Sequence, residues 1–318
     1  MAREMTQLEL LTELEPVVEE NLNRHQSMAK AWNPHDYVPW DEGRNFAAMG
    51  GEDWSEEQSR LDPTAKAAMI TNLLTEDNLP SYHREIATNF SLDGAWGTWV
   101  NTWTAEEDRH AIVMRDYLVV TRGVDPVALE RARMQHMITG YNPVANKDVL
   151  HSVAYVTFQE LATRVSHRNT GKACGDPIAD RMLQRVAADE NLHMVFYRNL
   201  CEATLEIAPN QAMEAINNIL QVFEMPGASM PDFRRNAVLI AKAGIYDLRQ
   251  HMDEVVKPVL RKWKIFERED FTGEGARARD ELGAFLEEME TKTVRFEESR
   301  ARALERERAR AEKQAANA

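Results

Sequence analysis

Two short segments of the sequence each place a glutamate three positions before a histidine. TWTAEEDRHAIVM contains Glu107 and His110, and AADENLHMVFY contains Glu190 and His193. Residues three apart on an α-helix leave the same face, so each pair would direct a carboxylate and an imidazole toward one point. Their neighbours on that face are apolar, and a buried carboxylate needs a partner. A metal ion is one such partner; a hydrogen-bonded pair in the core is the alternative.

Two further glutamates complete a repeated pattern. Glu76 lies 31 residues before Glu107, and Glu160 lies 30 residues before Glu190, a gap that suits a helix and a turn. A lone glutamate from each of two helices and a Glu-x-x-His pair from each of two others form the ligand set of a carboxylate-bridged di-iron bundle. The sequence therefore predicts a dinuclear metal site with these ligands: Glu76, Glu107, His110, Glu160, Glu190 and His193.

The chemistry of these side chains favours iron. Hard carboxylates bind iron in both oxidation states and bridge two ions, and imidazole suits iron as well. Four carboxylates also balance the charge of two ferrous ions, which makes a dry site tolerable. We expect two iron ions per chain, with manganese as an alternative occupant.

The ligands require long helices, and the rest of the sequence predicts them. Of the 318 residues 43% are hydrophobic, while glycine (14) and proline (12) are scarce. Apolar residues at helical spacing from Leu8 to Leu22 indicate a first helix, and the composition of residues 32–63 predicts irregular structure. We expect an all-α protein with a ferritin-like di-iron four-helix bundle as its core and additional flanking helices.

Two positions predict a change in helical order. Pro80 removes the backbone hydrogen bond to the carbonyl of Glu76, so a kink, a bulge or a helix end is expected beside that ligand. From about Glu287 the sequence consists mainly of Glu, Arg, Lys and Ala, which is typical of a solvated helix or a fraying tail. We expect one helical domain over residues 1–290 and a charged helical or disordered tail over residues 291–318.

Charge and composition exclude several classes of protein. A formal net charge of −14 argues against a general nucleic-acid or anionic-membrane binder. No apolar run approaches the ~18 residues of a membrane span, and acidic residues interrupt the N-terminal segment, so neither a span nor a targeting peptide is expected. Cys174 and Cys201 form no disulfide framework, which fits a reducing compartment. We expect a cytoplasmic location.

Five segments resemble the soluble acyl-[acyl-carrier-protein] desaturases, which include the plant plastid stearoyl type and actinobacterial relatives. The segments are WNPHDYVP, TEDNLPSYH, WTAEEDRH, FQELATRVSHRNTG and ADENLH. The likeness extends from about Trp32 to Glu298 and keeps the order and spacing of all predicted ligands. The actinobacterial branch fits best.

This resemblance implies an all-helical homodimer in which a di-iron centre uses O2 to introduce a cis double bond. The substrate would be an acyl chain on acyl carrier protein, in fatty acid or mycolic acid-type lipid biosynthesis, with a ferredoxin-type electron donor. Trp32, His110 and Asp189 match a route for electrons to the iron. Thr163 matches a threonine near the O2 site, although its hydroxyl could instead bond to a backbone carbonyl of its own helix.

Two other classes of function stay open at this point. One is another O2-activating di-iron protein, such as a hydroxylase or a reductase-type subunit. The other is a non-catalytic, ferritin-like iron-binding bundle. Ferritin chains are much shorter than this one, and reductase subunits usually supply an aspartate as their first ligand, which Glu76 fits less well.

For residues outside the predicted ligand set the sequence favours supporting, surface or core-packing roles. Leu192 stands where the family often has an arginine, while Arg109 is retained, which argues against symmetric ion pairs beside the two halves of the site. His83 and His167 are expected to support ligands or lie on the surface, and His25 has no partner pattern. Three tryptophans are expected to pack in the core: Trp96, Trp99 and Trp103.

An acidic carrier protein would need a local basic face on this acidic chain. Six residues are candidates for that face, with scattered solvated charge as an equal alternative: Arg164, Arg168, Lys172, Arg234, Arg235 and Lys242.

Overall fold

The computed structural model describes residues 4–141, 148–225, 227, 230 and 232–316, and no strand occurs among them. The first helices are α1 (Gln7–Met28), α2 (Pro63–Asp77), α3 (Leu79–Asn89), α4 (Gly94–Val120), α5 (Pro126–Thr139) and α6 (Val149–Ala173). The others are α7 (Pro177–Ile207), α8 (Pro209–Gln221), α9 (Phe233–Lys242), α10 (Leu248–Gln250), α11 (Lys257–Lys262) and α12 (Gly273–Ala316). A π-helical segment, His251–Val256, joins α10 to α11. No helix of this described part is long and apolar enough to cross a membrane.

The four helices that carry the predicted ligands are α2, α4, α6 and α7, and aspartates begin three of them. The Asp62 carboxylate accepts from backbone N–H groups at the start of α2, as Asp148 does for α6 and Asp176 does for α7. The first N–H groups of a helix have no partner within it, so such a cap stabilises the helix by about 1 kcal/mol.

Large aromatic side chains fill the space beside the ligands. Trp96, Trp99, Phe158 and Tyr197 are fully buried, and Trp99 stacks on Phe196 with ring centroids 3.5 Å apart. Helix α1 packs against α4 and α7, and α8 and α12 cover the outside of the bundle. This packing keeps water away from the carboxylates at the centre.

A break between α2 and α3 lies directly after the ligand Glu76. Helix α2 ends at Asp77, α3 begins at Leu79, and Pro80 occupies the first turn of α3. The predicted helix end beside this ligand is confirmed. It redirects the chain so that α3 can line a cavity next to the site.

The irregular segment between α1 and α2 is held against the core by one buried arginine. The guanidinium of Arg122, 2% exposed, donates to the carbonyl oxygens of Asn45 and Glu52, at 2.9 Å in both cases. The segment contains short 3-10 turns, beginning with Pro34–Tyr37, as its composition predicts. It also delivers Trp32 into the core.

Helix α12 passes residue 291 without a break. Beyond that position Thr293 is fully buried, and Arg300 pairs with Asp247 at 2.6 Å. The helical character expected for this part of the chain is present. The division into residues 1–290 and 291–318 stays a prediction.

Candidate metal centre

The structure brings the six predicted ligands together in the middle of the bundle. Helix α2 supplies Glu76, and α6 supplies Glu160. Helix α4 supplies Glu107 and His110, and α7 supplies Glu190 and His193. In each pair the two side chains lie about one turn apart on the inward face of their helix. All six side chains are buried, with exposures of 5% or less.

The ligands form two overlapping groups of four. One group is Glu76, Glu107, His110 and Glu190; the other is Glu107, Glu160, Glu190 and His193. Within each group one ligand atom per residue can be chosen so that all lie within 4.8 Å of one another. Because Glu107 and Glu190 belong to both groups, their carboxylates are placed to bridge two ions, and each ion would have one further carboxylate and one imidazole.

Several ligand atoms have no hydrogen-bond partner among the described residues, although they are buried. They include both carboxylate oxygens of Glu190, one oxygen each of Glu107 and Glu160, and Nδ1 of both histidines, which lies close to Glu107 without hydrogen-bond geometry. Such atoms are costly unless something binds them. Burial and the charges of Glu107 and Glu190 raise the pKa of Glu160 well above its ordinary value. Buried oxygen and nitrogen atoms without hydrogen-bond partners, together with crowded negative charge, fit a pair of divalent cations.

Each predicted ligand histidine has an acid of the opposite helix beside its Nε2. Nε2 of His193 lies 2.9 Å from Glu106, and Nε2 of His110 lies 3.5 Å from Asp189. With its hydrogen on Nε2, each imidazole keeps the Nδ1 lone pair for a metal. Nδ1 of His193 lies 2.7 Å from Glu107, and that of His110 lies 3.4 Å from the same residue. Both acids directly precede the glutamate of a Glu-x-x-His pair, a repeat that was readable in the sequence but not used.

The two lone glutamates are oriented by side chains from neighbouring helices. Nε1 of Trp103 donates to Glu160 at 3.0 Å, and Nε2 of His167 lies 2.9 Å from Glu76. His167 thus supports a ligand, as expected, whereas His83 bonds to Thr104. Trp103 is buried as predicted, but its bond to a ligand has no signal in the sequence.

Trp32, Asp189 and His110, which the resemblance links as a route for electrons, lie beside one another. Nε1 of Trp32 donates to Asp189 at 2.7 Å, and the indole stacks on His110 with ring centroids 6.4 Å apart. Arg109 lies 3.5 Å from Asp189, and Arg185 also pairs with that carboxylate. Both guanidinium groups lie over the indole, 5.1 and 5.9 Å from its ring centroid.

Arg185 pairs with Asp189 although Leu192 stands where the family often has an arginine. It lies one helical turn before Asp189 and supplies a guanidinium to that acid, which Leu192 cannot do. On the opposite side Glu106 has Arg109 at 3.6 Å. The ion pairs beside the two halves therefore differ, as the sequence predicts.

The hydroxyl of Thr163 points to its own helix in this structure. It donates to the backbone carbonyl of Glu160 at 3.0 Å and to that of Gln159 at 3.2 Å. This is the alternative that the sequence left open. A role near O2 stays a prediction.

A small, mainly apolar cavity adjoins the predicted ligands. Its walls include Glu76 and Glu107, and the centres of water-sized spheres can occupy about 30 Å³ of it. The main apolar and aromatic lining residues are Leu79, Tyr82, Ile86, Trp103, Tyr155 and Val156. Such a lining suits an alkyl chain rather than a polar metabolite.

The predicted basic face lies on α6 and α9. Five of its side chains are exposed: Arg164, Lys172, Arg234, Arg235 and Lys242. Arg168 is half-buried and pairs with Asp180 at 2.5 Å. The amide of Asn169 donates to the carbonyl of Ile245 at 3.0 Å, which brings the chain after α9 beside α6. A common docking face stays a prediction.

Comparison with known proteins identifies the family. A family model described as fatty acid desaturase matches residues 6–314. The chain belongs to this family. The Mycobacterium tuberculosis protein named acyl-[acyl-carrier-protein] desaturase DesA1 is 58% identical over 314 residues, 96% of this chain and 93% of its own length. The chloroplastic stearoyl-[acyl-carrier-protein] 9-desaturase 6 of Arabidopsis thaliana is 31% identical over 274 residues, 79% of this chain and 68% of its own length.

A solved structure of the same family shares the fold. The X-ray structure of the acyl-ACP desaturase DesA2 from Mycobacterium tuberculosis matches with a TM-score of 0.68 and 34% identity, covering 80% of this chain and 94% of that one. The family, its actinobacterial branch and the ferritin-like helical fold predicted from the sequence are confirmed.

Proposed function

We propose that this desaturase family member acts on an acyl chain carried by acyl carrier protein, in fatty acid or mycolic acid-type lipid biosynthesis. It would use O2 and two iron ions per chain to form a cis double bond. The observation that carries the proposal is the pair of ligand groups sharing Glu107 and Glu190, buried beside an apolar cavity. The substrate class is supported by the names of the relatives. Nothing favours a hydroxylase or an iron-storage bundle.

The predicted ligands would have different roles in such a centre. Glu107 and Glu190 would bridge the two ions, Glu76 with His110 would complete one, and Glu160 with His193 would complete the other. Bound iron would supply the oxidising chemistry. O2, together with two electrons and two protons from outside the protein, would remove two hydrogen atoms from the acyl chain, and two water molecules would form. The apolar cavity would hold two adjacent CH2 groups beside the ligands and exclude water from them.

The surface near Trp32 supports an acidic, ferredoxin-type electron donor. Arg109 and Arg185 lie over the indole, and Arg181 lies 5.9 Å from the ring centroid of Tyr37, which itself contacts Trp32. Positive charge around an aromatic pair would attract a negatively charged partner and place it next to the route through Asp189.

The exposed basic residues of α6 and α9 would contact the acidic carrier protein. The resemblance supports a homodimer and a cytoplasmic location. Light scattering of the purified protein tests the first of these, and fractionation of the source cells tests the second.

The decisive experiment measures metal, oxygen and product on one preparation. The metal-free protein is loaded with ferrous iron without oxygen, then supplied with O2, a ferredoxin system and a panel of acyl-carrier thioesters. We expect two iron ions per chain and one double bond, located by mass spectrometry, with Glu190→Ala as an inactive control. Two bound irons and O2 consumption without any unsaturated product would refute the desaturase assignment.

A further inference from the structure

His25, near the C-terminal end of α1, lies beside the half of the centre that contains His193. Its Nε2 is 2.9 Å from Oε2 of Glu106, the same oxygen that lies 2.9 Å from Nε2 of His193. The two imidazole rings stack, with centroids 5.7 Å apart and 24° between their planes. His25 is 2% exposed, so these contacts are shielded from water.

Trp32 makes the same two contacts in the other half of the centre. It donates to Asp189 at 2.7 Å and stacks on His110 with 14° between the rings. Each half therefore contains a predicted ligand histidine, an acid beside its Nε2, and a ring that bonds to the acid and stacks on the histidine. The acid is within hydrogen-bonding distance of His193, at 2.9 Å, and lies 3.5 Å from His110. His25 occupies in one half the place that Trp32 occupies in the other.

The two acids differ in how many other groups hold them. Asp189 pairs with Arg185 and lies 3.5 Å from Arg109, in addition to its bond from the indole. Among the described residues, Glu106 has a single guanidinium nearby, that of Arg109 at 3.6 Å, besides the two histidines. The position of Glu106 therefore depends more on its ring partner than the position of Asp189 does.

We propose that His25 is a positioning residue for the metal ion bound by His193. It holds Glu106, and Glu106 in turn keeps Nδ1 of His193 directed at the ligand carboxylates. The inference rests on the dinuclear centre of the proposed function.

Metal affinity tests this role independently of turnover. Metal-free protein is titrated anaerobically with Fe(II) in competition with a chelator. In His25→Leu, which removes the N–H donor, we expect one of two ions to bind about 10-fold more weakly and the other to bind as before. This is the low end of the range for direct partners of metal-bound histidines, because His25 acts through Glu106. His25→Gln keeps an N–H group and should recover most of the loss.

A matched control separates this effect from the general loss of a buried histidine. His151 is buried at the start of α6 and lies 2.8 Å from Asp148, away from the ligands. His151→Leu should leave both affinities unchanged. In a Glu106→Ala background His25→Leu should have no further effect, since His25 acts through Glu106.

Two results would overturn the inference while leaving the proposed function intact. One is unchanged affinity for both ions in His25→Leu; the other is an equal loss in the Leu and Gln variants. A wild-type protein that binds no pair of ions would overturn the proposed function as well. Should the Leu variant fail to fold, His25→Asn, with an amide too short to reach Glu106, replaces it in the comparison with Gln.

Discussion

Glu160→Gln should stabilise the metal-free protein and destabilise the iron-loaded protein. Glu160 is fully buried, and its Oε2 has no hydrogen-bond partner among the described residues. The charges of Glu107 and Glu190 oppose its ionisation. Glutamine removes the carboxyl group but keeps an Oε1 acceptor for Nε1 of Trp103, which lies 3.0 Å from Oε1 of Glu160.

The expected magnitude follows from the unpaired oxygen. A buried polar group without a partner costs about 1–3 kcal/mol, so the free energy of unfolding of the metal-free protein should rise by about that amount. An amide N–H would also face the neighbouring carboxylates. In the iron-loaded protein the substitution removes a ligand, and losing an ion present at 100 times its Kd costs about 2.7 kcal/mol.

Denaturant unfolding of both forms, without oxygen, measures the two effects. Glu13→Gln, on the exposed face of α1, is the control and should change neither form by more than about 0.5 kcal/mol. If the ligands were an ordinary hydrogen-bonded core, Glu160→Gln would destabilise the metal-free protein. A loss of more than about 1 kcal/mol in that form would therefore refute the metal-site reasoning.

Four further predictions concern residues around the centre and away from it. Trp32→Phe should keep the iron content and reduce turnover about 10–100-fold with the protein electron donor, which rate and iron assays together would check. Because the Thr163 hydroxyl donates to backbone carbonyls, Thr163→Val should keep the double-bond yield per O2; a lower yield would assign it the role near O2. Arg164→Glu should raise KM for the acyl carrier substrate more than it lowers kcat and weaken the salt dependence of KM; an unchanged KM would exclude this residue from the docking face. Burial lowers the pKa of His251 to about 4 from 6.5, so the unfolded chain takes up a proton first as the pH falls, and stability should drop by about 2 kcal/mol between pH 7 and pH 5. Unfolding curves of His251→Gln should lack that part of the drop; equal acid sensitivity in both proteins would contradict the assignment.

The sequence by itself determined the helical class and predicted the ligand set. A Glu-x-x-His pair occupies one helix face because backbone hydrogen bonds impose 3.6 residues per turn, whatever surrounds the helix. The same local geometry made the helix end near Pro80 predictable. Two copies of the motif at matched spacing then indicated one shared centre.

Only the tertiary structure decided which distant side chains hold those ligands. Trp32 meets Asp189 across 157 positions, and His25 meets Glu106 across 81. Arg185, one turn before Asp189, supplies a guanidinium to that acid in place of the arginine that the family often has at the position of Leu192. The family motif alone does not reveal this, because Arg185 lies outside it. Such contacts depend on how α1 and the segment after it pack on α4 and α7, and no repeating backbone geometry links residues on different elements. Helical periodicity is local and can be read from the chain, whereas the choice of partner between helices depends on the packing of the whole bundle.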